Sequence, residues 1–335
     1  MPLLYTLAMP GESHQGVLPL LGEERKLLGE RLREHVVMLG ERIGERNIWL
    51  PEKLRASASY IDQTLTGMGY RVSSQRFEID GAAHGALAGD AAGGSAPFPL
   101  HNLQVELPGN RLAEEIVLLG AHYDSVMGSP GANDNGSGVA ALLELGRLLR
   151  DQRLDRTVRL VAFVNEEPPF FQTPEMGSRV YAARARQRGE KITAMYSLET
   201  IGFYSDAPGS QKYPPPLSFF YPDSGHFIGF ISNISSRALL RQSIASFRRR
   251  AAFPSEGAAL PGWVMGVSWS DQWSFWQEGY PALMITDTAP FRYPYYHTPQ
   301  DTPDKLDYHR LARVVAGLAL MVQDIAGFEG HHGGG

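Results

Sequence analysis

Residues 117–134, VLLGAHYDSVMGSPGAND, carry the reading on which the fold turns. The apolar run over 116–120 predicts a buried strand, which ends in His122-x-Asp124. A glycine-rich loop then delivers Asp134 to the start of a helix predicted over 139–150. In an open α/β sheet, ligands gather at the carboxyl ends of the strands. Histidine and carboxylates placed there are the residue types that a metal ion takes.

Outward from this stretch, strand and helix alternate. Strands are expected at 158–164, 196–201, 226–232 and 281–286, and helices at 175–188, 235–250 and 306–326. Upstream, apolar residues Leu28, Leu32, Val36, Leu39 and Ile43 recur at helical spacing and predict one helix over 22–46. A second helix is expected after Pro51, with Leu54, Ala58, Ile61, Leu65 and Met68 on one face. Strands at 71–79 and 103–107 flank a Gly- and Ala-rich loop over 81–97. Near-continuous apolar strands that alternate with helices imply an α/β fold: a mostly parallel or mixed sheet of about eight strands with helices on both faces. No linker divides the chain, so residues 1–328 are expected to form one domain, with the helices of 22–69 packed on it and 329–335 as a disordered tail.

Composition narrows the function. Of 335 residues, 43% are hydrophobic, enough for a large core, and the net charge of -5 lacks the basic footprint of a nucleic-acid binder. No apolar window is long enough to span a bilayer. Cysteine is absent, so any metal must sit on His, Asp and Glu. The N-terminus lacks the basic region and apolar core of a signal peptide, which implies either a cytoplasmic protein or the loss of a leader. The compartment stays open.

Five positions form a candidate metal site: His122, Asp134, Glu167, Glu199 and His297. Each has an ordinary reading alone; Asp134 could cap a helix, and Glu199 could pair with an arginine. Their coincidence at strand ends outweighs those readings, because burying several carboxylates together without a cation costs several kcal/mol each. Strand alternation puts Asp124 on the same side as His122, where it can accept the second imidazole N–H. Asp134 has two oxygens and suits a bridge between two ions. The neighbours Glu166 and Glu167 cannot point the same way, so one can bind metal while the other faces the water.

The order HYDS, GANDNGSG, NEE, SLETIG and YHTPQDTPDKLDY resembles the zinc-dependent peptidases of clan MH. More narrowly, it resembles the family of bacterial leucyl aminopeptidases, aminopeptidase Y and glutamate carboxypeptidase II, over residues 103–326. The resemblance implies a zinc-exopeptidase fold and two Zn2+. His122 and Glu199 would hold one ion, Glu167 and His297 the other, and Asp134 would bridge them. It also implies Glu166 as general base and a peptide with a free N-terminus as substrate; Asp124, placed beside His122 by the strand alternation, is the second catalytic candidate. Three departures stand out. Glu199 replaces a common Asp; PPFFQTPEM is inserted before Gly177, where it is expected to build part of the substrate wall; and Gln272 follows Asp271 where His is common. Aromatic residues Phe170, Phe171, Phe291, Tyr293, Tyr295 and Tyr296 flank the site-bearing loops and are candidates to line a pocket. Two rivals remain: a glutaminyl cyclase-like acyltransferase with one zinc, and a binding ectodomain without catalysis.

Overall fold

The computed structural model describes residues 6–80 and 97–327. The loop expected over 81–97 lies outside the described residues except for Pro97, and so does the tail expected at 329–335. The strands are β1 (Ser73–Asp80), β2 (Pro97–Leu107), β3 (Leu112–His122), β4 (Arg156–Phe163), β5 (Lys191–Glu199), β6 (Ile228–Ser232), β7 (Ser255–Ala259) and β8 (Ala282–Thr286). They form one eight-stranded sheet in the order β1-β2-β4-β3-β5-β8-β6-β7. The centre, β4-β3-β5-β8, is parallel, while β1, β2 and β6 enter with antiparallel pairings. The mixed sheet expected from the sequence is therefore the one observed.

Its two faces carry different cores. Val117, Leu119 and Ala121 of β3 point into a large cluster with the helices α1 (Glu23–Val37), α2 (Pro51–Gly67), α3 (Gly136–Leu149), α5 (Arg237–Arg250) and α8 (Tyr308–Ala326). Ile116 and Leu118 point the other way, toward Tyr181 of α4 (Gly177–Gln187) and Phe275 of α6 (Gln272–Gln277). Period-two alternation of buried residues along β3 thus covers both faces with helices. No helix among the described residues is long and apolar enough to cross a membrane.

The single helix expected over 22–46 is interrupted. After α1 the chain continues as a π-helical turn, Met38–Ile43, closed by Gly44 N–H donating to Leu39 O at 2.9 Å. Gly40 explains the need: a Cβ there would lie 2.7 Å from both Cα and Cβ of Ala132, in the loop that carries Asp134. The turn sets backbone against backbone where the ligand loop passes. Among the described residues, β7, α6 and the short α7 (Ala289–Arg292) were not anticipated.

Candidate metal centre

His122 ends β3, Glu199 ends β5, and Glu166 and Glu167 follow the end of β4. These three strands are parallel neighbours, so their carboxyl ends meet at one edge. The loop after β3 brings Asp134 beside them, and its neighbour Asn135 caps α3 by accepting from Gly138 N–H. His297 arrives from the loop beyond α7 in a left-handed conformation, φ 57°. Asn165 (φ 58°) and Thr200 (φ 43°) share that conformation beside the other ligands. Non-glycine residues held there cost about 1–3 kcal/mol each, and such strain concentrates at functional sites.

The five candidates converge as two triads sharing one residue: His122, Asp134 and Glu199; and Asp134, Glu167 and His297. His122 Nε2 lies 3.3 Å from Asp134 Oδ1 and 3.3 Å from Glu199 Oε2. His297 Nε2 lies 3.1 Å from Asp134 Oδ2 and 3.4 Å from Glu167 Oε2. Ligand atoms about 2.0 Å from a tetrahedral zinc sit about 3.3 Å from one another, and these separations match. Both ring nitrogens of His122, Asp134 Oδ1 and His297 Nε2 are buried with no hydrogen-bond partner. Buried polar atoms are normally satisfied, so this orphaned set fits a cation.

Without a cation the site is electrostatically stressed. Burial drives the carboxyls of Glu166, Glu167 and Glu199 upward from the usual range. Burial also works against Asp134, but the neighbouring imidazoles of His122 and His297 hold its carboxyl below that range. A bound divalent ion would relieve the first group and reinforce the second.

Glu166 belongs to neither triad. Its Oε2 stands 3.9 Å from His122 Nε2. Glu167 is anchored, its Oε1 accepting from Val126 N–H at 3.1 Å. Asp124 has a second task beyond facing His122 Nδ1 at 3.5 Å: its two oxygens accept the N–H groups of Glu166 and Glu167, each at 3.2 Å. It therefore fixes the turn that separates the two glutamates.

Several supporting residues were not assigned roles from the sequence. Asp301 accepts from the N–H groups of Asn133 and Asp134 at 2.8 and 3.0 Å and from Tyr293 Oη at 2.8 Å, which clamps Asp134. It stood within the quoted YHTPQDTPDKLDY motif, which was the available signal. Ser270 Oγ donates to Glu199 Oε2 at 2.6 Å. Arg46 is fully buried and donates to Tyr123 O, Pro130 O and Gly131 O at 2.7, 2.7 and 2.8 Å, so it holds both ends of the His122–Asp134 loop.

Beside Glu199 opens an apolar cleft of about 790 Å³, part of it open to solvent. Of the aromatic residues expected to line a pocket, Phe291 and Tyr296 do, and Tyr296 also stacks on His297 with ring centroids 3.8 Å apart. Phe170 is buried in the core instead, and Tyr293 is taken up by Asp301. The inserted loop of 168–176 does not line this cleft. It braces a neighbouring segment, Gln172 Nε2 donating to Ser268 O at 2.9 Å. The Gln272 side chain is directed at Val267 O, 3.0 Å away.

Residues 102–322 match the family model described as peptidase family M28. The uncharacterized protein YfbL of Escherichia coli (strain K12) is 40% identical over 278 residues, covering 80% of this chain and 80% of its own length. Among solved structures, BSAP, a zinc aminopeptidase from Bacillus subtilis, superposes with a TM-score of 0.67 at 18% identity, over 89% of this chain and 95% of that one. The glutaminyl cyclase of Fimbriiglobus ruber superposes with a TM-score of 0.62 at 19% identity, over 94% and 99%. At such identities both likenesses are of fold.

Proposed function

Because the chain belongs to peptidase family M28, we propose that it is an aminopeptidase that binds two zinc ions and hydrolyses the first peptide bond of substrates with a free N-terminus. The observation that carries this reading is the pair of triads joined through Asp134, with one carboxyl oxygen turned to each histidine. When bound, the zinc pair supplies Lewis acidity, which makes water nucleophilic near neutral pH. Glu166, uncommitted to either triad, takes the proton from the attacking water and returns it to the leaving amine. Asp124 orients the His122 imidazole and holds Glu166 apart from Glu167. Ser270 Oγ holds Glu199 through Oε2, the oxygen that faces His122, and Val126 N–H holds Glu167 through Oε1, leaving its Oε2 toward His297.

Purified protein is expected to hold about two zinc-class ions per chain and to lose activity on chelation. Elemental analysis together with a panel of aminoacyl and N-terminal glutaminyl substrates tests the reading. Two ions with amine release support it; full activity of metal-stripped protein refutes it. The fold likeness to a glutaminyl cyclase keeps one alternative in view, and one ion with pyroglutamate formation would establish that instead.

Glu199 gives a local test. Glu199→Asp is expected to keep measurable activity, since a carboxylate remains although its reach shortens, whereas Glu199→Ala should lose one ion. Unchanged metal content in the alanine variant, measured by mass spectrometry, removes Glu199 from the site.

A further inference from the structure

The cleft beside Glu199 has a charged far end. Strand register places Glu199 of β5 opposite Thr286 of β8, Thr286 opposite Gly229 of β6, and Gly229 opposite Glu256 of β7. Directly paired residues share a face of the sheet, so these four form one transverse row, and all four line the cleft. Three strand spacings of about 4.8 Å make that row roughly 14 Å long between the outer Cα atoms. The next row on the same face, Met284, Ile231 and Ala258, is apolar and completes the floor. Gly229 puts no side chain into the middle of the row, and a Cβ there would lie 3.1 Å from Thr286 O.

Glu199 and Glu256 are the only charged side chains among the described lining residues, and Glu199 is taken by the metal centre. Tyr221 and Tyr213 turn their hydroxyls to Gly257 O and Pro222 O, so these groups are spent on the backbone. Glu256 is three-quarters shielded, its side chain 23% exposed, and its only ionic neighbour among the described residues is Arg248 Nη2 at 3.9 Å. That guanidinium is itself engaged with Ser255 O at 2.7 Å, Ser255 Oγ at 3.2 Å and Gly11 O at 2.9 Å. Burial lifts the Glu256 carboxyl above its ordinary range, as expected for a group short of partners.

We propose that this trough receives the side chain of the substrate's N-terminal residue and that Glu256 makes it selective for cationic side chains, lysine and arginine. The proposal rests on the aminopeptidase reading and deepens it. The apolar floor and walls take the methylene stem, as long cationic side chains require, and Glu256 meets the charged head. A short aliphatic residue leaves the far end empty with the carboxylate desolvated. An acidic residue meets like charge.

The test compares L-lysinamide with L-norleucinamide, which has the same stem without the ammonium group, by calorimetric titration into the purified protein. Lysinamide is expected to bind about 10- to 100-fold more tightly, the range of one charge-assisted hydrogen bond. Glu256→Gln should abolish the difference, and Glu256→Asp should retain part of it. Glu256 accepts no hydrogen bond from the described residues, so the glutamine variant should melt as the parent does, which verifies folding. With cleavable substrates, the lysyl-to-leucyl ratio of kcat/KM should fall by the same factor in Glu256→Gln. Equal or tighter norleucinamide binding, no detectable binding of either amide, or a preference that survives Glu256→Gln overturns the proposal. A lysinamide preference lost in Glu256→Gln, in a protein that cleaves no peptide, supports the selectivity and refutes the aminopeptidase reading.

Discussion

Replacing Glu166 by glutamine is expected to leave both ions bound and the fold intact while kcat falls by roughly 10²–10⁴-fold. The change alters no triad member and keeps the side-chain shape. KM should move little, because the lost proton transfer belongs to the transition state and not to ground-state binding. Glu167→Gln is the contrasting case. Its Oε2 lies 3.4 Å from His297 Nε2 within a triad, and an amide oxygen is a poor substitute for a carboxylate ligand. That variant should lose affinity for one ion, and activity with it. Metal content and steady-state kinetics on both proteins decide the matter. Loss of an ion from Glu166→Gln with retention of both in Glu167→Gln would exchange the two roles, and unchanged kcat in both would move the chemistry elsewhere.

Arg46→Met should cause the largest loss of stability. The guanidinium is entirely buried, and burial lowers its pKa to about 10, which still leaves it charged at neutral pH. Its three shortest hydrogen bonds go to carbonyls of the ligand loop. Each buried acceptor left without a donor costs about 1–3 kcal/mol, so a total of roughly 3–5 kcal/mol is expected. For a protein of this size that is a fall in Tm on the order of 10 °C. Arg46→Lys retains the charge but not the planar fork and should recover only part. Thermal melts of the three proteins test this, and a methionine variant that melts within a degree of the parent refutes it. The expectation that residues 1–328 fold as one domain is tested by the same residue: if Arg46 ties the upstream helices to the ligand loop, a chain lacking residues 22–69 cannot form the site.

What the sequence could convey here depended on the range of the forces involved. The strand before His122 was legible because an uninterrupted apolar run is local, and the division between Glu166 and Glu167 because adjacent side chains at a strand end must diverge. β7 was not: Ser255–Ala259 reads SEGAA, with no β-branched or aromatic residue, and is a strand only through its pairing with β6. The break after Val37 was hidden because Leu39 and Ile43 preserve helical spacing, and the cause is a close approach to Ala132, far along the chain. Arg46 was passed over for the same reason. The carbonyls that give it meaning lie some eighty residues away.

The order of the strands has an evolutionary corollary. The side chains of the two triads come from β3, β5 and the loops after β3, β4 and α7, while the cleft floor beyond Glu199 is made by β8, β6 and β7. Hydrolytic machinery and the cleft floor would then be encoded in different spans of one sheet, meeting at the β5–β8 seam and where Tyr296 of the cleft stacks on His297. Drift in the span from β6 to β7 could retune what is cut while the chemistry is inherited unchanged. A chimera that exchanges residues 226–260 with those of another member of the family is therefore a rational way to transplant preference without rebuilding a catalyst.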